Sequence, residues 1–155
     1  MAKLDNVGTA HSPRFSEEQC VKQGQLLAEE YQSAEPFPHI AIDDFLSVEM
    51  LSEIRDSFPP REEAMSYKRD QENLKYQFHP EAVQSDLTRN LFMALNSEPF
   101  LKFLSAMTGI EGLIADPYYT GGGLHETLKG GHLGVHADFN RHAVMNVRRR
   151  LNLLV

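Results

Sequence analysis

Glycine is crowded into one stretch of this chain. Eight of its ten glycines lie between Gly109 and Gly134, and none lies between Gly24 and Gly109. Glycine weakens helix interiors and permits the positive backbone angles of tight turns. The glycine-poor stretch is therefore expected to be mainly helical, and the glycine-rich one to be strands broken by turns. Helices packed on one side of an antiparallel sheet make an α+β fold. At 155 residues the chain suits one domain.

Helix signals punctuate the first part. Ser16 stands three residues before Gln19, a capping spacing, and opens a helix over residues 17–32 with Cys20, Leu27 and Tyr31 on one stripe. Pro36-Phe37-Pro38 ends it and starts an extended stretch, residues 39–43. Ser47 caps a second helix carrying Val48, Leu51, Ile54 and Phe58, stopped by Pro59-Pro60. Ser85 or Asp86 starts a third helix, to about Leu95. Ser97-Glu98-Pro99 starts a fourth, which ends at Gly109. Residues 1–14 are expected to be a mobile arm. A short strand is expected at residues 75–78, and further strands at 113–119, 123–128, 132–137 and 149–155.

Composition narrows the function classes. The net charge is −7, which argues against non-specific nucleic-acid binding. The one basic run, Arg148-Arg149-Arg150, is expected to be a solvated strand edge. No apolar run approaches the roughly 20 residues of a membrane span, so no membrane partner is expected. The N-terminus lacks the apolar core of a secretory signal. A single cysteine, Cys20, leaves no intrachain disulfide and no cysteine-based zinc site, and fits a cytoplasmic location. The terminal Leu153-Leu154-Val155 has the character of a buried strand and is expected to be a cut end, leaving strand edges open to self-association.

Chemistry concentrates in residues 117–142, which hold four of the seven histidines: His125, His132, His136 and His142. His136-Ala137-Asp138 is the informative spacing. On a strand, residues i and i+2 face the same side, so an imidazole and a carboxylate so spaced can ligate one metal ion. On a helix they would diverge. The spacing alone is common, and its surroundings give it weight.

Those surroundings are Pro36-Phe37-Pro38-His39-Ile40-Ala41-Ile42-Asp43-Asp44-Phe45-Leu46 leading into a helix, and Gly130-Gly131-His132-Leu133-Gly134-Val135-His136-Ala137-Asp138 on the later strands. Together they resemble the iron(II)- and 2-oxoglutarate-dependent dioxygenases, in the branch similar to prolyl 4-hydroxylases, over residues 34–155. The resemblance implies N-terminal helices packed on an incomplete antiparallel double-stranded β-helix, or jelly roll. Residues 1–33 would form an arm and helix, and 34–155 the N-terminal portion of the dioxygenase domain. It further implies Fe(II), 2-oxoglutarate as cosubstrate, ascorbate as an accessory reductant, and a small-molecule or protein side-chain substrate. His136 and Asp138 correspond to the first two ligands of a facial triad. His125 and Thr127 lie about where the family often has a cosubstrate-contacting Tyr, and His132 could share the metal face. Nothing after Asp138 matches the family's distal His or the Arg or Lys that pairs with the cosubstrate carboxylate.

Two other readings compete. A metal-dependent hydrolase would use His136, Asp138 and His142. A truncated or degenerate domain would act in protein association and not in catalysis.

Overall fold

The computed structural model describes residues 4–9, 11–66, 68 and 70–155. Among them the chain folds as α+β, with four α-helices and one three-stranded antiparallel sheet. The helices are α1 (Glu17–Ser33), α2 (Val48–Asp56), α3 (Asp86–Leu95) and α4 (Glu98–Thr108). The strands are β1 (Met65–Ser66), β2 (Glu72–Phe78) and β3 (Leu124–Leu133). The caps sit where the sequence placed them. Ser16, Ser47 and Ser85 each accept a backbone N–H three residues on, from Gln19, Met50 and Thr88. Each hydroxyl satisfies one donor that the first helical turn leaves without a partner. The helices do not all precede the strands, because β1 and β2 lie between α2 and α3.

Two apolar clusters hold the elements together. In the first, α1 lies on α4 and buries Cys20, Phe100, Phe103 and Met107. Gly24 makes that approach possible. A Cβ there would stand 2.5 Å from the Phe103 carbonyl oxygen and 2.8 Å from the Ala106 Cβ. Phe15 and Phe103 pack against Phe100 at ring-centroid distances of 5.3 and 5.4 Å. The second cluster joins helices to sheet. Phe78, Val83 and Leu124 are buried against Ile54, Phe58 and Phe92, and the Phe58 ring meets Phe78 edge-on at 5.6 Å. Helix α3 serves both, since Phe92 packs on the second cluster and Leu95 on the first.

The N-terminal segment differs from the mobile arm expected. Its described residues fold back on themselves, with Val7 N–H donating to the Arg14 carbonyl and Thr9 and Ser12 exchanging backbone hydrogen bonds. The Asn6 side-chain oxygen accepts from Gly8 and Arg14. Leu4 is buried in the α1–α4 cluster. An apolar anchor and a local side-chain acceptor order a polar segment that composition alone marks as loose.

The sheet departs from expectation at its glycines. Gly130-Gly131 was expected to separate two strands, yet β3 runs through it. The strand pairs with β2 as Phe78↔Leu124, Tyr76↔Glu126 and Lys75↔Thr127, then resumes at Asn73↔His132. Residues 128–131 bulge out opposite Leu74. Gly130 at φ 83° supplies the backbone angle that an added Cβ disfavours. Residues 113–119, 134–137 and 149–155 form no strand, and the isolated Arg141↔Arg148 bridge lies just before the last of these segments. Local side-chain acceptors take the backbone donors at 116–120: Asp116 accepts the N–H groups of Tyr118 and Thr120 at 2.8 and 2.7 Å. Such a turn competes with strand pairing. Among the described residues no helix is long and apolar enough to cross a membrane.

Candidate functional site

His136 and Asp138 lie just past the end of β3, on an irregular segment and not on the strand expected for them. They meet nonetheless. His136 Nε2 stands 3.4 Å from Asp138 Oδ1, with the side chains 38% and 42% exposed. The other ring nitrogen decides what that contact means. His136 Nδ1 lies 2.8 Å from the Gly134 carbonyl oxygen, which can only accept, so Nδ1 carries the hydrogen. In the neutral ring Nε2 then presents a lone pair beside a carboxylate oxygen. Two acceptors this close repel unless a cation stands with them, either a proton on Nε2 or a metal ion. An imidazole whose second nitrogen donates to a backbone carbonyl has the usual disposition of a metal-bound histidine.

Asp138 is held from its other oxygen. Arg149 Nη2 approaches Oδ2 at 3.2 Å and Asn152 Nδ2 at 3.3 Å. Arg149 also donates to Asn152 Oδ1 at 2.9 Å and lies 4.7 Å from the centroid of the Phe139 ring. Its side chain is only 20% exposed. The solvated strand edge expected for the basic run therefore does not describe Arg149, whose guanidinium is stacked on an aromatic face and paired.

A buried histidine turns the chain so that Arg149 can reach. His142 N–H donates to the Val147 carbonyl, Asn146 N–H to the His142 carbonyl, and Arg149 N–H to the Asn140 carbonyl. The His142 Nδ1 accepts the N–H groups of Val144 and Met145. Its hydrogen is thus on Nε2, between Thr120 Oγ1 at 2.8 Å and Asp116 Oδ1 at 3.3 Å. Burial alone would raise the Asp116 pKa. The hydrogen bonds from Thr120 and Tyr118 and the nearby His142 outweigh it and hold the carboxyl below its usual value. Both ring nitrogens of His142 are engaged within the fold, so it offers no lone pair to a metal ion. Among the described residues, no group of three His, Cys, Asp or Glu side chains is disposed to hold a metal ion, and the trio His136, Asp138 and His142 is not brought together as one.

The remaining candidates lie on β3. His125 and Thr127 share one face, opposite Gln77 and Lys75 of β2. Lys75 is buried beside Glu72, with Nζ 3.6 Å from Oε1. Desolvation of the His125 ring, then the Lys75 ammonium, push its pKa down against the opposing pull of Glu72. This imidazole is therefore biased towards its neutral form. His132 lies beyond the bulge and donates from Nε2 to the Asp70 carbonyl at 3.1 Å, which separates it from the other two. Sequence reasoning missed Arg149, Asn152 and Asp116. Arg149 stood in a run that charge alone marks as surface, and no spacing rule connects any of the three to His136 or Asp138.

No family model, no curated protein and no solved structure matches this chain.

Proposed function

We propose that residues 34–155 are the N-terminal portion of an iron(II)- and 2-oxoglutarate-dependent dioxygenase domain, with His136 and Asp138 as two ligands of its facial triad. The incomplete double-stranded β-helix, the prolyl 4-hydroxylase-like character and the cytoplasmic location belong to the same reading. The observation that carries it is the approach of His136 Nε2 to within 3.4 Å of Asp138 Oδ1, with the other ring nitrogen turned to the Gly134 carbonyl. One nitrogen and one carboxylate oxygen are donors that suit iron(II). With iron(II), 2-oxoglutarate and dioxygen bound, the site would support hydroxylation of a C–H bond, one oxygen atom of O2 entering the product and the other entering succinate as carbon dioxide is lost. The protein residues hold and orient. Gly134 fixes the His136 tautomer, and Arg149 and Asn152 occupy Asp138 Oδ2 so that Oδ1 faces the imidazole. His125 and Thr127, on the face of the sheet they share with Lys75, are the proposed cosubstrate-side residues.

Among the described residues the chain supplies two donors where a facial triad needs three, so divalent metal binding by the chain alone is weak. The test is succinate release from 2-oxoglutarate with added Fe(II) in the native protein. His136→Ala and Asp138→Ala each abolish it, and succinate formation retained in either variant refutes the assignment. Protein association is a second reading. It is favoured by the outer edge of β3, whose backbone pairs only with β2 among the described residues, and by exposed Leu133 and Val135 nearby. A concentration-independent monomer in sedimentation velocity would remove it.

A further inference from the structure

The His142 side chain is only 6% exposed, and its two ring nitrogens have different duties. Nδ1 accepts the amides of Val144 and Met145 at 3.2 and 3.0 Å, which only a lone pair can do. Nε2 carries the hydrogen between Thr120 Oγ1 at 2.8 Å and Asp116 Oδ1 at 3.3 Å. A protonated ring bears a hydrogen on both nitrogens. Its Nε2 side gains, because the contact with the Asp116 carboxylate becomes charge-assisted. Its Nδ1 side loses, because a new N–H meets two backbone N–H groups and no acceptor. The two ends of one ring therefore answer a proton in opposite ways. Burial raises the Asp116 carboxyl, but the amides of Thr120 and Tyr118 and the nearby His142 outweigh it, so Asp116 is ionised wherever histidine titrates. Tyr118 is the other titratable group that this turn brings to His142, its ring 5.6 Å away. On the histidine's own segment the charged side chains are Asp138, Arg141, Arg148, Arg149 and Arg150, and Asp138 and Arg149 pair with each other.

We propose that the turn over residues 142–147 is a proton-operated latch, in which a proton on His142 releases the Val144 and Met145 amides while Asp116 keeps hold of the ring. The neutral ring closes the turn and the cationic ring opens it. Opening matters because this turn carries the chain back on itself. His142 N–H donates to the Val147 carbonyl and Arg149 N–H to the Asn140 carbonyl, and Arg149 then reaches Asp138 at 3.2 Å. A loosened turn frees that return, so the contact of Arg149 with Asp138 comes under the control of a proton held elsewhere. The latch needs no metal ion at His136 and Asp138, and it stands whether or not the dioxygenase reading holds. Asparagine at position 142 separates the two duties. Its side-chain oxygen takes the place of Nδ1 as acceptor for the same amides, and it does not titrate.

The experiment is a titration of the full 155-residue chain over about pH 8 to 5, where histidine changes charge. Nitrogen-15 correlation spectra follow the His142 ring and the backbone amides, and amide hydrogen exchange is corrected for its intrinsic pH dependence. The Val144 and Met145 amide shifts are expected to follow the protonation of the His142 ring. Their protection should fall by about fivefold or more, the worth of one ordinary hydrogen bond. The Tyr118 and Thr120 amides, bonded to Asp116, should keep theirs. In His142→Asn the step at Val144 and Met145 should be absent. Val144 and Met145 amides indifferent to the state of the ring overturn the latch, as does a ring that takes no proton over this range. A step that persists in His142→Asn overturns it too. So does protection lost in parallel at Tyr118 and Thr120, which marks general acid unfolding. Should His142→Asn fail to fold, the comparison of the two amide pairs in the unsubstituted chain decides.

Discussion

Replacing Gly24 by alanine sets two well-characterised effects against each other, and the structure decides the sign. Gly24 is buried in the interior of α1. In an exposed helix interior, Gly→Ala stabilises by about 1 kcal/mol. At this position the new methyl would lie 2.5 Å from the Phe103 carbonyl oxygen, 2.8 Å from the Ala106 Cβ and 3.2 Å from the Met107 amide nitrogen. Two of these neighbours are α4 backbone, which cannot swing aside as the end of a flexible side chain can. Relief requires α1 and α4 to separate, and separation loosens the packing of Cys20 against Phe100, Phe103 and Met107. Overpacking of this kind costs about 1–3 kcal/mol, and rigid neighbours place it near the upper end. Offset by the helix-propensity gain, the net destabilisation is about 2 kcal/mol. For a chain of this size that lowers Tm by roughly 4–8 °C. The assay is reversible thermal or urea unfolding followed by far-ultraviolet circular dichroism, with Cm and m-value compared. A variant as stable as the parent, or more so, would show that the helices do not approach as closely as described.

Three further outcomes follow from single side chains. Burial, then Glu17, raises the Cys20 thiol from 9.0 to about 11, leaving roughly one-hundredth as much thiolate at neutral pH. Labelling by a disulfide reagent should be at least that much slower in the native chain than in urea, and equal rates would contradict the burial. Glu126 pairs bidentately with Arg61 at 2.7 Å, and that hydrogen bonding holds its carboxyl below the ordinary value. A depressed carboxyl contributes stability above its unfolded pKa and loses it as pH falls through the folded value. Glu126→Gln should therefore lower Tm slightly at pH 7 and not at pH 3, and a deficit that persists at pH 3 would point to another cause. His142→Ala removes partners from Thr120, Asp116 and the Val144 and Met145 amides. It should cost about 2–4 kcal/mol and raise amide hydrogen exchange across residues 140–149, and unchanged exchange there would refute the hub role.

The sequence by itself determined the helices. Three of their starts are a serine hydroxyl meeting an amide three residues on, the fourth has a proline in its first turn, and the proline and glycine stops act within a turn. It also singled out His136 and Asp138, because the spacing is short and the residue types are specific. What it could not determine was how backbone donors in the glycine-rich part would be satisfied. Gly130-Gly131 is compatible with a turn or with a bulge, and only pairing with β2 around Leu74 chose the bulge. The strand expected at 113–119 gave way to a turn because Asp116 captures two amides. Arg149 looked like surface charge until the turn around buried His142 returned it to Asp138. The meeting of Asp138 with Arg149 and Asn152 was decided by tertiary structure alone. It depends on a long-range return of the chain, and a side chain's partners across such a return are not encoded in any short spacing.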